Sequence, residues 1–199
     1  MIRELDKLEL PVLALDPTGA LASEDSFVLK MESVEKEELN VVLDVVQKTW
    51  RAKIPLVLDV SELTREDMSI LAGDLFDMVR VSLSDGIVMV DEIPDFTPQF
   101  GKFKSEELIR FNRKCRNQNI GFMFATQRPQ SVDKDVLALA DIFFVLRVVY
   151  PPDRKRMEEL FSQKYEKGEE AKISTEISSF GPGEVYVVSF VLGDRTGAK

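Results

Sequence analysis

Along the chain, short apolar bursts alternate with segments whose apolar residues recur every three or four positions. That alternation is the pattern of an α/β fold, in which buried parallel strands are linked by crossover helices. Ile2, Leu5 and Leu8 fall at helical spacing, and Pro11 then opens a strand over residues 12–15, closed by Asp16-Pro17-Thr18-Gly19. Further strands are predicted at 27–29, 56–60, 87–90, 122–125 and 142–148, with a last one at 184–192 after Gly181-Pro182-Gly183. Between them lie helices buried through Leu39, Val42, Leu43 and Val46 and through Met68, Leu71, Ala72, Leu75 and Val79, and a third marked by Leu108, Phe111, Asn112 and Cys115. Thr64 and Asp67 form a capping box for the second of these. Two later helices are expected at 135–140 and 154–165, and the polar stretch 164–172 reads as a loop.

Composition narrows the chemistry. The 199 residues fit one domain over 1–199 with a substantial core. No apolar run approaches the length of a membrane span and no signal-peptide pattern opens the chain, so a cytoplasmic location is expected. The single Cys115 rules out an internal disulfide and a cysteine-based metal site, and the chain has no histidine. Catalysis would therefore rest on carboxylates, lysine, arginine, amides and hydroxyls, with a hard cation such as Mg2+. Phosphoryl transfer to water needs little more than positioning and charge stabilisation, so it survives this exclusion. A net charge of −9 argues against tight autonomous binding of nucleic acid, whose affinity comes mainly from phosphate contacts.

Two strands end in chemistry. Gly86-Ile-Val-Met-Val-Asp91-Glu92 is an apolar run followed by adjacent carboxylates, which a parallel sheet delivers at its carboxyl edge. Neighbouring strand residues face opposite ways, so the two acids can hold different tasks. The plain alternative is a strand that ends at a solvated acidic turn. Phe122-Met-Phe-Ala-Thr126-Gln127-Arg128-Pro129 ends in hydroxyl, amide and guanidinium groups suited to a phosphate and a water, though standing alone it reads more simply as a capped polar turn.

Taken in order, Val90-Asp-Glu, the 111–121 segment beginning Phe111-Asn-Arg-Lys-Cys, Ala125-Thr-Gln-Arg-Pro-Gln130 and the 136–147 segment ending at Arg147 resemble the HerA/FtsK superfamily of DNA-pumping P-loop ATPases. Val12-Leu-Ala-Leu-Asp16-Pro-Thr-Gly19 resembles the strand that this family places after its P-loop helix. The likeness covers nearly the whole chain. It implies a RecA-like (ASCE) α/β sheet, mainly parallel, with helices on both faces and a late antiparallel addition. It also implies an ATP-driven motor that moves double-stranded DNA as a homohexameric ring. Asp91 would hold Mg2+, Glu92 would activate water, and Gln127 would sense the γ-phosphate. Arg113 would act on a neighbouring subunit's nucleotide, while Thr126 and Arg147 would contact the nucleotide.

The family's G-x-x-x-x-G-K-[ST] loop, which cradles the phosphates, occurs nowhere in the sequence. Met1 to Leu10 resembles the end of the helix after that loop, so the chain is expected to begin about one strand and one loop late. The resemblance then implies a sheet with its P-loop strand absent or replaced, leaving unpaired edges, and a poor ATPase in isolation. A non-catalytic interaction subunit and one half of a split ATPase stay open. Gly193 to Lys199 reads as a hairpin turn or, less simply, as a degenerate permuted P-loop. Arg110, Arg113, Lys114 and Arg116 crowd one helix and read either as a solvated face or as the source of a trans-acting arginine. In residues 95–104, Phe96, Phe100 and Phe103 stand beside Lys102 and Lys104, a loop that either touches DNA or a neighbouring subunit, or tucks its rings onto its own domain. Trp50, Phe143 and Phe144 are expected in the core.

Overall fold

The computed structural model describes residues 9–21 and 26–190. They divide into two compact units, with the boundary between Gln127 and Arg128.

The first unit is built on five parallel strands: β1 (Val12–Asp16), β2 (Phe27–Lys30), β3 (Leu56–Asp59), β4 (Gly86–Val90) and β5 (Ile120–Phe124), in the spatial order β2-β3-β1-β4-β5. Three helices link them: α1 (Lys36–Ala52), α2 (Arg65–Ser82) and α3 (Glu106–Lys114). The connections β2-α1-β3, β3-α2-β4 and β4-α3-β5 all step the same way across the sheet. Right-handed crossovers then stack the three helices on one face. The register sets Leu13 beside Leu56 and Val88, and Val88 beside Phe122, so these residues share a face. There the Phe76 and Phe111 rings of α2 and α3 lie 5.1 Å apart and both meet Phe122. The opposite face carries Val12, Ala14, Val57 and Met89, with Ile87, Met123 and Leu21 packed on them. Both faces are buried, which is why these strands read as apolar runs instead of alternating ones.

Local signals place the helices as the pattern predicts. Thr64 accepts the Asp67 N–H at 3.2 Å, capping α2, and donates its hydroxyl to the Asp67 carboxylate at 2.7 Å. Ser105 caps α3 through the Leu108 N–H. Gly86 is a packing requirement. A Cβ there would lie 2.8 Å from Pro11 Cγ and closer still to the Trp50 ring, whose Nε1 donates to Ser84 O.

Among the described residues, the outer edge of β5 pairs with no strand. The second unit holds a two-stranded antiparallel sheet, β6 (Ile142–Val145) with β7 (Tyr186–Ser189), and helices α4 (Lys134–Ala138), α5 (Pro151–Phe161) and α6 (Glu169–Ser178). Helix α6 corrects the loop expected over 164–172. Ile173 and Ile177, four apart, are buried together with Ser174, and Gly168 at φ 94° starts the helix, so a charged surface hid a narrow apolar stripe. The strand expected over 142–148 stops at Val145. Phe144 is 64% exposed, not core, because strand alternation turns it away from Val145, while Trp50 and Cys115 are buried as expected. The end of the last predicted strand, and both readings of Gly193 to Lys199, lie outside the described residues, as does the opening helical pattern up to Leu8.

Candidate functional site

Strands β3, β1 and β4 share one design: an apolar run that ends in aspartate at the carboxyl edge, as Asp59, Asp16 and Asp91. Asp16 sits beside Asp59 in the register, and the Asp91 N–H donates to Leu15 O at 3.0 Å, so the three acids follow one another across adjacent strand tips. Two of them are tied to their own turns. The buried Asp16 carboxylate accepts the Thr18 and Gly19 N–H groups at 2.9 Å, the Thr18 hydroxyl at 2.8 Å and the Leu21 N–H at 2.6 Å. Asp59 accepts the Ser61 N–H at 3.0 Å. Burial pushes the Asp59 carboxyl up, but the Ser61 hydroxyl and N–H, with Lys30 nearby, outweigh it and hold it below its ordinary value. Asp16 and Asp59 share with Asp91 the same ending of an apolar run in aspartate, and that repeat in the sequence is the signal for them.

The β4 tip differs. Glu92 stands at φ 39°, ψ 58°, a left-handed conformation that costs a non-glycine residue about 1 kcal/mol or more. The chain then enters a 310 turn over Ile93–Asp95, which the Asp95 N–H closes onto Glu92 O at 2.9 Å. Arg65 pairs with Asp95 at 3.1 Å and ties this turn to α2. On the other side, the Ile93 N–H donates to Ala125 O and the Ala125 N–H donates to Val90 O, both at 3.0 Å, carrying the β4–β5 pairing past the strand ends.

That pairing sets Thr126 and Gln127 against Glu92. The Gln127 N–H lies 3.3 Å from Oε1 and 3.4 Å from Oε2, and the Thr126 hydroxyl lies 3.4 Å from Oε2. These are long, weak hydrogen bonds, of the kind that tighten when a ligand arrives. Burial raises the Glu92 carboxyl above its ordinary value, and the charges of Asp91 and Asp95 push the same way, against the Gln127 and Thr126 donors. A cation placed here would relieve that repulsion.

Asp91, Glu92, Thr126 and Gln127 are therefore brought together, with the Gln127 side chain exposed. Arg113 lies exposed in the last turn of α3 in the same unit. Arg147 is exposed beyond β6 in the second unit. Arg128 braces its own unit: its Nε is 3.4 Å from the buried Asp153 carboxylate, its guanidinium lies 4.9 Å from the Tyr150 ring centroid, and Asp153 also accepts the Gln130 N–H at 3.0 Å. Among the described residues no group of three or more acidic or cysteine side chains could hold a metal ion. Mg2+ in phosphate sites needs only one or two carboxylates beside water and the phosphates, which a strand-tip Asp91 next to Glu92 fits.

No protein-family model and no curated protein matches the sequence. Solved structures do match. The genome-packaging NTPase B204 of Sulfolobus turreted icosahedral virus 2 in complex with AMP superposes with a TM-score of 0.69 at 11% identity, over 100% of this chain and 87% of that one. Its sulfate complex gives 0.66 at 12% identity, over 96% and 81%. B204 from Sulfolobus turreted icosahedral virus, a DNA-packaging ATPase, gives 0.64 at 13% identity, over 96% and 82%. The fold is that of a RecA-like P-loop NTPase. In such a sheet the carboxyl edge is where ligands bind, and that edge holds Asp91, Glu92, Thr126 and Gln127. No helix among the described residues is long and apolar enough to cross a membrane.

Proposed function

We propose that this chain forms the acid-pair and phosphate-sensing part of an ATP-driven motor that moves double-stranded DNA, assembled as a homohexameric ring from single domains of this kind. The observation that carries it is the meeting of Glu92 with the Thr126–Gln127 tip on adjacent parallel strands. Asp91 would hold Mg2+ together with the phosphates, and the cation would stabilise charge on the transferring phosphoryl group. Glu92 orients and deprotonates the attacking water, and Gln127 reads the γ-phosphate through its exposed amide. Thr126 contacts the nucleotide, and Arg113, exposed at the end of α3, reaches the nucleotide of a neighbouring subunit. B204, solved with ATP-γ-S, is a packaging NTPase with the same fold, which favours this substrate.

One observation favours a second reading, a half-enzyme completed by another polypeptide. The sequence holds no G-x-x-x-x-G-K-[ST] motif, and the β5 edge, beside the Thr126–Gln127 tip, pairs with no strand among the described residues. A parallel strand added there would end at the same sheet edge and bring its following loop to Glu92. Either way the isolated chain is a weak ATPase.

Calorimetry with Mg2+ and a slowly hydrolysed ATP analogue, and turnover assays with and without duplex DNA, test the proposal. Binding that weakens in Asp91→Asn, with slow turnover lost in Glu92→Gln, is the expected result. Nucleotide binding indifferent to Asp91, Glu92 and Gln127 would remove the basis for a nucleotide site at these strand tips. Fast turnover by the isolated chain would remove both the half-enzyme reading and the weak turnover expected without the G-x-x-x-x-G-K-[ST] loop, and leave the nucleotide site at these strand tips standing.

A further inference from the structure

The loop between the Glu92 turn and α3 divides its aromatics sharply. Phe96 is fully buried, Phe103 is partly exposed, and Phe100 is 88% exposed. The base of the loop is fixed: the Thr97 N–H and hydroxyl donate to Ile93 O at 2.9 and 3.2 Å, and the Ser105 N–H closes the loop onto Phe96 O at 2.9 Å. Thr97 and Ser105 are both buried. The tip is shaped by Pro98 and by Gly101 at φ 144°, a conformation that only glycine holds without strain. A ring is thus held out into solvent on a rigid base, and folding gives no reason for it.

Between Phe96 and Lys104 the sequence carries two lysines and no carboxylate, in a chain of net charge −9. Lys102, beside the tip, is exposed, and Lys104 pairs with Glu106 at 3.9 Å. Protein–protein contacts are depleted in lysine at their centres, whereas nucleic-acid contacts combine lysines on phosphates with rings against bases or sugars. We propose that the Phe100–Lys104 tip is a DNA contact, with Phe100 packing on a sugar face and Lys102 and Lys104 near the flanking phosphates. The inference rests on the DNA-moving function proposed above and names the element that touches the strand. Thr97 hangs from Ile93, the residue after Glu92, so the contact and the acid pair are joined through one short 310 turn.

Fluorescence anisotropy with a short labelled duplex tests this on wild type, Phe100→Ala and Lys102→Glu, with melting temperatures confirming that the exposed substitutions leave the fold intact. The wild type is expected to bind with a strong salt dependence. Phe100→Ala should weaken binding about tenfold, as loss of one ring buried against the sugar does. Lys102→Glu should weaken it and flatten the salt slope, while Glu92→Gln is read by ATP turnover alone. The proposal is overturned if the wild type does not bind, or if both loop variants bind as it does. It is likewise overturned if Phe100→Ala lowers the assembly's mass by light scattering at unchanged DNA affinity, which would make the tip a contact between copies. Loop-dependent binding without Glu92-dependent turnover would sink the motor and leave the contact standing; the reverse pattern would sink the contact alone.

Discussion

The Gln127 N–H sits 3.3 Å from Glu92 Oε1, across two strands whose last paired residues are Val90 and Phe124. The geometry depends on Glu92 leaving β4 in a left-handed turn at φ 39°. Glycine relieves that strain and alanine does not. Glu92→Gly should therefore be more stable than Glu92→Ala by about 1 kcal/mol, read from urea denaturation. Equal stabilities would mean that the turn relaxes once the carboxylate is gone.

Gly86 is closed in by Trp50 and Pro11, with no space for a methyl group. The neighbours are an indole held by its bond to Ser84 O and a rigid pyrrolidine, so neither yields cheaply. Gly86→Ala should cost about 1–3 kcal/mol. Trp50 is the sole tryptophan, so its fluorescence should shift in the same variant.

Asp16 gathers four donors from the turn after β1 while buried. Asp16→Ala removes the acceptor of three backbone N–H groups in a partly exposed turn and should destabilise by about 1–3 kcal/mol. Asp16→Asn keeps an acceptor and should cost less. A melting series of the three proteins separates loss of the cap from loss of charge.

Asn119 occupies a left-handed position at φ 57° and donates from Nδ2 to Asp85 at 2.9 Å. The Asn119 and Ser84 side chains hold the Asp85 carboxyl below its ordinary value. Asn119→Gly preserves the backbone conformation and removes the bond. The Asp85 carboxyl should then titrate at higher pH in an NMR titration. A depressed carboxyl contributes stability above its unfolded pKa and loses that contribution as pH falls through the folded value. The stability gap between wild type and variant should therefore close as the solution is acidified below the ordinary aspartate range.

Periodicity and capping in the sequence determined the strands, the three crossover helices and the two chemical strand endings, because burial on a regular element leaves a local, repeating trace. Val88 to Asp91 and Phe122 to Gln127 could be recognised without knowing what they touch. Which strands stand side by side was not written locally. The family resemblance implies that the acid pair and Gln127 stand at neighbouring strand tips; the tertiary structure shows β4 beside β5 and sets Glu92 against the Gln127 N–H. It also made Asp16 a cap for its own turn, and it buried Phe96 while leaving Phe100 in water. Helix α6 escaped the sequence because Ile173 and Ile177 mark only a narrow stripe under charged residues. Each of these depends on partners far apart in the chain, so the free energy that decides them is not carried by any one segment.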